Sequence, residues 1–204
     1  MYPGKKTGNW YTWKGTGDVA CSHGYLSLMK CRLDLSYTKN GMVYSADNGH
    51  LEVVKWLHFN RTEGCTDDAM DCAAENGHLE VVKFLHENRT EGCTKYAMDY
   101  SAANGHLDVV KWLHFNRTEG CTENAMDYSA EKGHLEVVKW LHETRKEGCT
   151  HYAMDWSARK GCLEVVKWLH KNRTEGYTKN TIKYATANGH SEVVKFLQDI
   201  GKDR

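Results

Sequence analysis

The sequence lacks most of the features that mark a membrane, secreted or nucleic-acid-binding protein. Lysine and arginine balance aspartate and glutamate, 27 against 27, so bulk charge favours neither nucleic acid nor a membrane as a partner. No stretch approaches the run of about 18 apolar residues that a membrane span needs. The first residues contain no apolar segment of the kind found in secretory signals, so we expect no secretion signal there.

Patterns for catalysis and for strands are also missing. No Ser, Cys or Thr stands apart with a unique His and acid, and Gly15-Thr16-Gly17 is too short for a phosphate-binding loop. Alternating runs of β-branched residues, which are typical of strands, do not occur. The sequence therefore predicts an all-α protein that is not an enzyme and that needs no cofactor.

What the sequence has instead is a repeat. The segment from Asn48 to His58, Asn-Gly-His-Leu-Glu-Val-Val-Lys-Trp-Leu-His, returns with small changes every 28 residues. The six copies begin at Asn48, Asn76, Asn104, Lys132, Lys160 and Asn188. A period of about 20 to 50 residues marks a repeat architecture, in which each unit buries its apolar face only against its neighbours. The function is then expected on a repeated surface rather than in a single pocket.

One unit, residues 66–93, predicts a helix, a tight turn, a second helix and a short loop. The hydroxyl of Thr66 is expected to cap the first helix. Gly77 is expected to end that helix, because glycine adopts left-handed backbone angles at little cost. The second helix is predicted to start at His78-Leu79, where apolar residues resume a helical spacing, and to close at Gly92.

The repeated Asn-Gly-His-Leu-Glu-Val-Val-Lys motif resembles the second helix of the ankyrin repeat. Ala69-Met70-Asp71 then stands where that family has Pro-Leu-His. The resemblance implies an ankyrin-like α-solenoid, and the period, shorter than the family's about 33 residues, implies that the hairpin fingers are shortened or absent. It is similar to the short-period arrays of protists and large DNA viruses. It also implies that the first helices line a concave face that binds proteins.

The repeat divides the chain into segments. We expect residues 1–15 to be poorly ordered and residues 16–37 to form a degenerate capping repeat. Trp10 and Trp13 of the first segment can fold back onto that repeat. The repeat array follows over residues 38–204. Its predicted units are 38–65, 66–93, 94–121, 122–149, 150–177 and 178–204.

The cysteines include a regular set, Cys65, Cys93, Cys121 and Cys149, at the same place in successive units. Equivalent atoms of stacked units lie on the order of 10 Å apart, whereas a disulfide needs Cα atoms within about 7 Å. We therefore predict small buried thiols and a reducing compartment, cytoplasmic or nuclear.

Two sets of histidines recur in the second helices. The first set is His50, His78, His106, His134 and His190, and the second is His58, His86, His114, His142 and His170. Within one helix the two members are separated by about 12 Å of rise, too far for one zinc ion with ligands at about 2 Å. We therefore predict no metal site. The resemblance to ankyrin repeats places the first set at the turn and helix start, which implies a hydrogen-bonding role for it.

Two further patterns have structural interpretations. The aromatic row Trp56, Phe84, Trp112, Trp140, Trp168 and Phe196 is expected to pack between neighbouring units, because an exposed row would promote aggregation. The Asn-Arg-Thr sequences that begin at Asn60, Asn88, Asn116 and Asn172 match the glycosylation sequon but are interpreted as polar helix ends.

Specificity is expected where the copies differ. They differ most at the start of the first helix, and they also differ at two later positions, the equivalents of Cys72 and of Glu75. Tyrosine and tryptophan, which are enriched in binding hot spots, occur among these positions. The partner-binding candidates are Asp68, Lys95, Tyr96, Tyr100, Asn124, Tyr128, His151, Tyr152, Trp156 and Arg159. Tyr100, Tyr128 and Trp156 stand at a position that is apolar in ankyrin repeats, so burial is the alternative for them.

The sequence thus predicts a non-enzymatic, monomeric interaction scaffold that binds another protein through its concave face. One alternative is a host-modulating or ubiquitin-pathway adaptor that acts by recruitment. Another is a structural repeat product without a specific partner.

Overall fold

The computed structural model describes residues 16–201, so the predictions for residues 1–15 lie outside the described part of the chain. Fourteen helices follow one another in that range, and it contains no strand. They are α1 (Gly17–Ser22), α2 (Leu26–Cys31), α3 (Lys39–Asp47), α4 (Leu51–Asn60), α5 (Asp68–Glu75), α6 (Leu79–Asn88), α7 (Lys95–Ala103), α8 (Leu107–Asn116), α9 (Asn124–Glu131), α10 (Leu135–Thr144), α11 (His151–Lys160), α12 (Leu163–Asn172), α13 (Thr181–Ala187) and α14 (Ser191–Gly201).

The helices form pairs that stack in chain order. The first helix of each pair packs against its own second helix and against the first helices of the pairs before and after it. The predicted helix-turn-helix solenoid is therefore confirmed. Since residues 16–201 contain no strand, the predicted loss of hairpin fingers is also confirmed for that range.

The core is a repeated set of small and aliphatic side chains. In the unit of α5 and α6, Met70, Ala74, Val82 and Leu85 are all at most 1% exposed, and the same positions are buried in the next three units. In the last unit only Leu197 of the equivalent residues is buried. Alanine on the first helices permits close approach of their backbones, while valine and leucine of the second helices fill the space behind them. No unit could bury this face alone.

The turn inside each pair is closed by the next unit. Gly77 has a φ of 76°, and a Cβ atom built on it would lie 2.6 Å from Nδ1 of His106 in the following pair. Histidines of the first set also hydrogen-bond to backbone carbonyls of the preceding pair: Nε2 of His50 lies 3.2 Å from the oxygen of Ser22, and Nε2 of His78 lies 3.1 Å from that of Asp47. The predicted hydrogen-bonding role is confirmed for these two.

Two local predictions for residues 66–93 are wrong. The Thr66 hydroxyl donates to the Asp68 carboxylate at 2.8 Å, and no side chain caps α5, which begins at Asp68. The second helix ends at Asn88, and Gly92 lies in the loop beyond it with a φ of 75°. That glycine shapes the loop and does not terminate the helix.

Buried carboxylates on α5, α7, α9 and α11 join each of these helices to the residues that precede or begin the next first helix. Asp99 is 1% exposed, and its two oxygens accept from the backbone N–H of Thr122 at 2.8 Å and from its hydroxyl at 2.7 Å. Asp71 with Thr94 and Asp127 with Thr150 repeat this contact. Burial raises the pKa of Asp99 above its usual range, and the bonds to Thr122 oppose that shift. These aspartates therefore hold neighbouring units in register.

The second set of histidines lies at another contact between units. Arg117, which is ion-paired with Glu119, donates from Nη1 to Nδ1 of His86 at 3.3 Å. The His86 ring also meets the Trp112 ring edge-on, with centroids 5.1 Å apart. The same arrangement joins His114 to Trp140 and His142 to Trp168. The prediction that the aromatic row packs between neighbouring units is confirmed.

The regular cysteines are buried, as predicted. Cys65 and Cys121 are each 4% exposed, and all four cysteines of the set are free thiols. Burial is the largest cause that raises the pKa of the Cys121 thiol to about 11, so it stays protonated at neutral pH. The sequon asparagine Asn116 donates to the carbonyl oxygen of Trp112 at 2.8 Å, as expected of a polar helix end.

Acid is expected to weaken the stack through His134. Burial, followed by Lys132 and His106, lowers the pKa of His134, so the unfolded chain takes up its proton at a higher pH than the folded chain does. The stability from the neutral ring is fully present above the ordinary histidine pKa of about 6.5, and it is lost as the pH falls from that value through the lower pKa of the folded state. We therefore expect the urea midpoint of His134→Cys to fall less than that of the wild type between about pH 8 and about pH 5.5.

Cysteine is the matched replacement because Cys162 occupies the same place in the next unit, where its thiol donates to the Glu131 carbonyl at 3.5 Å. At the higher pH the histidine is neutral, so the difference between the two urea midpoints measures the effect of the substitution on packing alone. The additional difference at the lower pH measures the effect of protonation. Parallel declines of the two midpoints with pH would contradict this account.

Candidate functional site

The candidate site is the face lined by the first helices. Neighbouring first helices, such as α7 and α9, pack against each other far more closely than neighbouring second helices, such as α8 and α10. A stack whose first helices are closer together curves towards them. The first helices therefore form the inner, concave side, which we call the first-helix face.

Aromatic rings form a continuous row along this face. The ring centroids of Tyr100 and Tyr128 are 6.3 Å apart and those of Tyr128 and Trp156 are 5.8 Å apart, with interplanar angles of 15° in both pairs. At one end of the row the Tyr96 ring lies next to that of Tyr100, with centroids 5.7 Å apart. At the other end the Tyr152 ring lies next to that of Trp156, with centroids 4.5 Å apart. We call these five residues the ring row.

Much of the ring row is open to solvent. Tyr96 is 59% exposed, Tyr152 is 45% exposed and Tyr100 is 38% exposed. Tyr128 and Trp156 are half-buried, since rings on both sides cover them. The alternative that Tyr100, Tyr128 and Trp156 belong to the core is therefore wrong. Partial burial, followed by the neighbouring phenols of Tyr128 and Tyr96, raises the pKa of the Tyr100 hydroxyl.

The polar candidates surround the ring row. Lys95 and Asn124 are exposed at the starts of α7 and α9. The His151 ring lies 4.3 Å from that of Tyr152 and so extends the row by one ring. Asp68 is exposed on α5, beyond the Tyr96 end of the row. Arg159 is half-buried at the end of α11, where its Nη2 lies 2.8 Å from a Glu131 carboxylate oxygen.

Sequence reasoning missed several members of this face. Tyr44 and Tyr184, each 44% exposed, occupy the equivalents of Tyr100 in the outer units. Lys132 reaches the side-chain oxygen of Asn104 at 2.7 Å and thereby links two neighbouring turns. For the two tyrosines the signal was present, because they stand at the same varied position from which Tyr100 was chosen. Lys132 stands at the position before the turn glycine, from which no candidate was chosen.

Within the described part of the chain, the structure offers little for metal or membrane chemistry. No group of three or more His, Cys, Asp or Glu side chains in residues 16–201 is placed to hold a metal ion. Among the helices of the same range, none has the length and apolar character needed to cross a membrane.

The repeated pairs, their glycine turns and the missing fingers can be compared with known families. A family model of three ankyrin repeats matches residues 42–127, 72–151, 96–180 and 126–203. The chain belongs to the ankyrin repeat family. Ankyrin repeats are generally protein–protein interaction modules and are typically not catalytic. A comparison with curated proteins finds no match to this chain.

Proposed function

We propose that this ankyrin repeat protein is a non-enzymatic scaffold that binds another protein through its first-helix face. The observation that carries the proposal is the ring row. The aromatic side chains of Tyr96, Tyr100 and Tyr152 are 38 to 59% exposed. Their apolar surface is in contact with water, and a partner that buried it would gain binding free energy. Tyrosine and tryptophan also supply contact area at a low entropic cost, which makes them frequent hot spots.

The ten candidates have different proposed roles in this interface. The rings of Tyr96, Tyr100, Tyr128, Tyr152 and Trp156 supply the apolar contact, and the polar candidates supply its rim. The polar set is Asp68, Lys95, Asn124, His151 and Arg159. A partner that covers the rings therefore meets charge of both signs around them.

The proposal also includes the compartment, the class of partner and the oligomeric state, as the sequence predicts them. Free buried thiols such as Cys65 and Cys121 favour a reducing compartment, the cytoplasm or the nucleus. The ring row and its polar surroundings suit a protein partner better than a nucleic acid or a membrane, and we propose that the scaffold is a monomer. The adaptor function, in which recruitment serves host modulation or ubiquitination, would use this same face.

The proposed surface is tested by the double variant Tyr96→Ala with Tyr152→Ala. Both side chains are exposed, so the helix content is expected to stay unchanged while partner recovery in affinity purification is lost. The matched control is Phe59→Ala with Phe115→Ala, which removes two rings that are 72% and 76% exposed on the second helices.

If the first-helix variant recovers the partner as well as the wild type does, the first-helix face is rejected, and loss of recovery in the control would point to the second helices. If no protein binds saturably to the wild type, the structural product without a specific partner becomes the better explanation.

A further inference from the structure

The ring row ends abruptly on the side of α5. Five of the six equivalent positions on α3, α5, α7, α9, α11 and α13 are aromatic, and Cys72 on α5 is the exception. Cys72 is half-buried, and Tyr44 and Tyr100 on either side of it are 44% and 38% exposed. A thiol leaves room where a phenol ring would stand. The face therefore has a gap, one side chain wide, between two tyrosines.

The neighbours of this gap are acidic. Asp68 and Glu75 lie four residues before and three residues after Cys72 on α5, and therefore on the same side of that helix, and Asp47 ends the neighbouring α3. Burial is the largest cause that raises the pKa of the Cys72 thiol to about 11, followed by the charges of Asp47, Asp68, Glu75 and Asp71. The hydrogen-bond partners of two of them are neutral: Asp68 accepts from the Thr66 hydroxyl, and Asp47 accepts from the Asn76 amide. Their negative charge is thus not compensated by these contacts.

The opposite end of the ring row is basic. Arg159 and Lys160 end α11, and the ion pair of Arg159 with Glu131 leaves the exposed Lys160 as an uncompensated positive charge. The first-helix face therefore runs from acidic at α5 to basic at α11, with the stacked rings between. Complementary charge selects and orients a partner, so a segment that lies along the face must carry the opposite order.

Arginine fits the acidic end best. Its planar guanidinium stacks on aromatic faces and binds carboxylates through two hydrogen bonds at once, whereas the ammonium of lysine does neither as well. The gap offers both kinds of contact, the tyrosine rings on its sides and carboxylates around it. Phosphate groups would be repelled at this end, so a protein segment is favoured over RNA.

We propose that the partner is a protein with an extended segment whose arginine enters the gap between Tyr44 and Tyr100 and whose acidic side chain reaches Lys160. This inference rests on the proposed function and narrows it to one class of ligand. The face advances from α5 to α11 in three steps, each from one first helix to the next. The ring centroids are 6.3 Å apart for the step from α7 to α9 and 5.8 Å apart for the step from α9 to α11. Three such steps give roughly 18 Å, so the acid should lie about five to six residues from the arginine.

The probe is a displayed library of random peptides of about 12 residues, long enough to cover this distance. It is selected against the wild type, Cys72→Tyr, Cys72→Ser and the double variant Asp68→Asn with Glu75→Gln. Tyrosine is the residue at the equivalent positions of α3, α7, α9 and α13, so Cys72→Tyr is expected to fold and to fill the gap. Cys72→Ser keeps the gap and controls for loss of the thiol.

The wild type and Cys72→Ser are expected to enrich peptides with one arginine and an acid at the stated spacing. Cys72→Tyr and the charge variant should bind those peptides about tenfold more weakly, as should the wild type when the peptide arginine is replaced by alanine. Enriched peptides that lack arginine, or that bind Cys72→Tyr as well as the wild type, would overturn the inference.

The outcomes separate this inference from the proposed function. Peptides that need Tyr96 and Tyr152 but ignore Cys72→Tyr would preserve the first-helix face as a docking surface and reject the arginine site. Preferred binding of a single-stranded RNA of the same length would reject the protein partner. A library that yields no binder to the wild type would count against both.

Discussion

Gly105→Ala is expected to lower the free energy of unfolding by more than about 2 kcal/mol, a large effect for a single methyl group. Gly105 has a φ of 81°, where an L side chain is strained. The added Cβ would also lie 2.7 Å from Cε1 of His134, whose ring is held by a hydrogen bond to the Ala103 backbone. Either this hydrogen bond or the contact between the two units must then yield. Urea unfolding measured by circular dichroism gives the loss.

The chain offers matched controls that separate the strain from the clash. Gly133 has the same φ of 81°, but its Cβ would meet only the Cys162 sulfur, at 3.1 Å. Gly189 has a φ of 77° and nothing within 4 Å of the added atom. We expect Gly189→Ala to cost about 1 kcal/mol, from backbone strain alone, and Gly133→Ala to fall between the two. Equal losses at all three glycines would show that the histidine contact contributes nothing.

Asp99→Ala is expected to lower the free energy of unfolding by about 2 to 3 kcal/mol. The substitution leaves the N–H and the hydroxyl of Thr122 without the carboxylate that now accepts from them at 2.8 and 2.7 Å. Removal of a buried charge returns part of that loss, because burial penalises the ionised carboxylate and raises the pKa of Asp99. Asp99→Asn keeps the shape and one acceptor oxygen, so we expect a loss of about 1 kcal/mol. Chemical unfolding of the three proteins at neutral pH measures both differences.

Asp108 provides the control for this prediction. It is exposed on α8, in the same unit as Asp99. Its replacement by alanine is expected to change stability by no more than about 0.5 kcal/mol. If Asp99→Ala proved as mild as Asp108→Ala, the carboxylate would not hold neighbouring units together.

The contacts that hold the units together were harder to predict than the units themselves. The period and the Asn-Gly-His-Leu motif predicted the helix pairs, and the register of Leu79 at the start of α6 was correct. The bond between Asp99 and Thr122 was missed, because it joins residues 23 positions apart in different units. The available signal was that aspartate and threonine recur 23 residues apart in four successive copies, from Asp71 to Asp155. The cap at Thr66 was wrong because its hydroxyl donates to the Asp68 carboxylate, a local contact that composition alone does not reveal.

Comparison of the copies identified the varied positions of the first-helix face but not their arrangement. The stacking of Tyr128 on Trp156 depends on how closely α9 and α11 approach each other on the concave side. The repeat length of 28 residues does not predict that distance. The pairing of Arg159 with Glu131 depends on the same distance. The sequence therefore indicated where to look, and the geometry of the stack determined which side chains meet.

The central claim, that the first-helix face is the docking surface, is tested most directly by site-specific photocrosslinking in cells. A photoreactive phenylalanine is placed at Tyr96 or Tyr152 and, in separate proteins, at Phe59 or Phe115 on the second helices. The account predicts that the two first-helix positions crosslink to the same partner and that the two second-helix positions do not. Crosslinks to a common partner from Phe59 and Phe115, with none from Tyr96 and Tyr152, would contradict it.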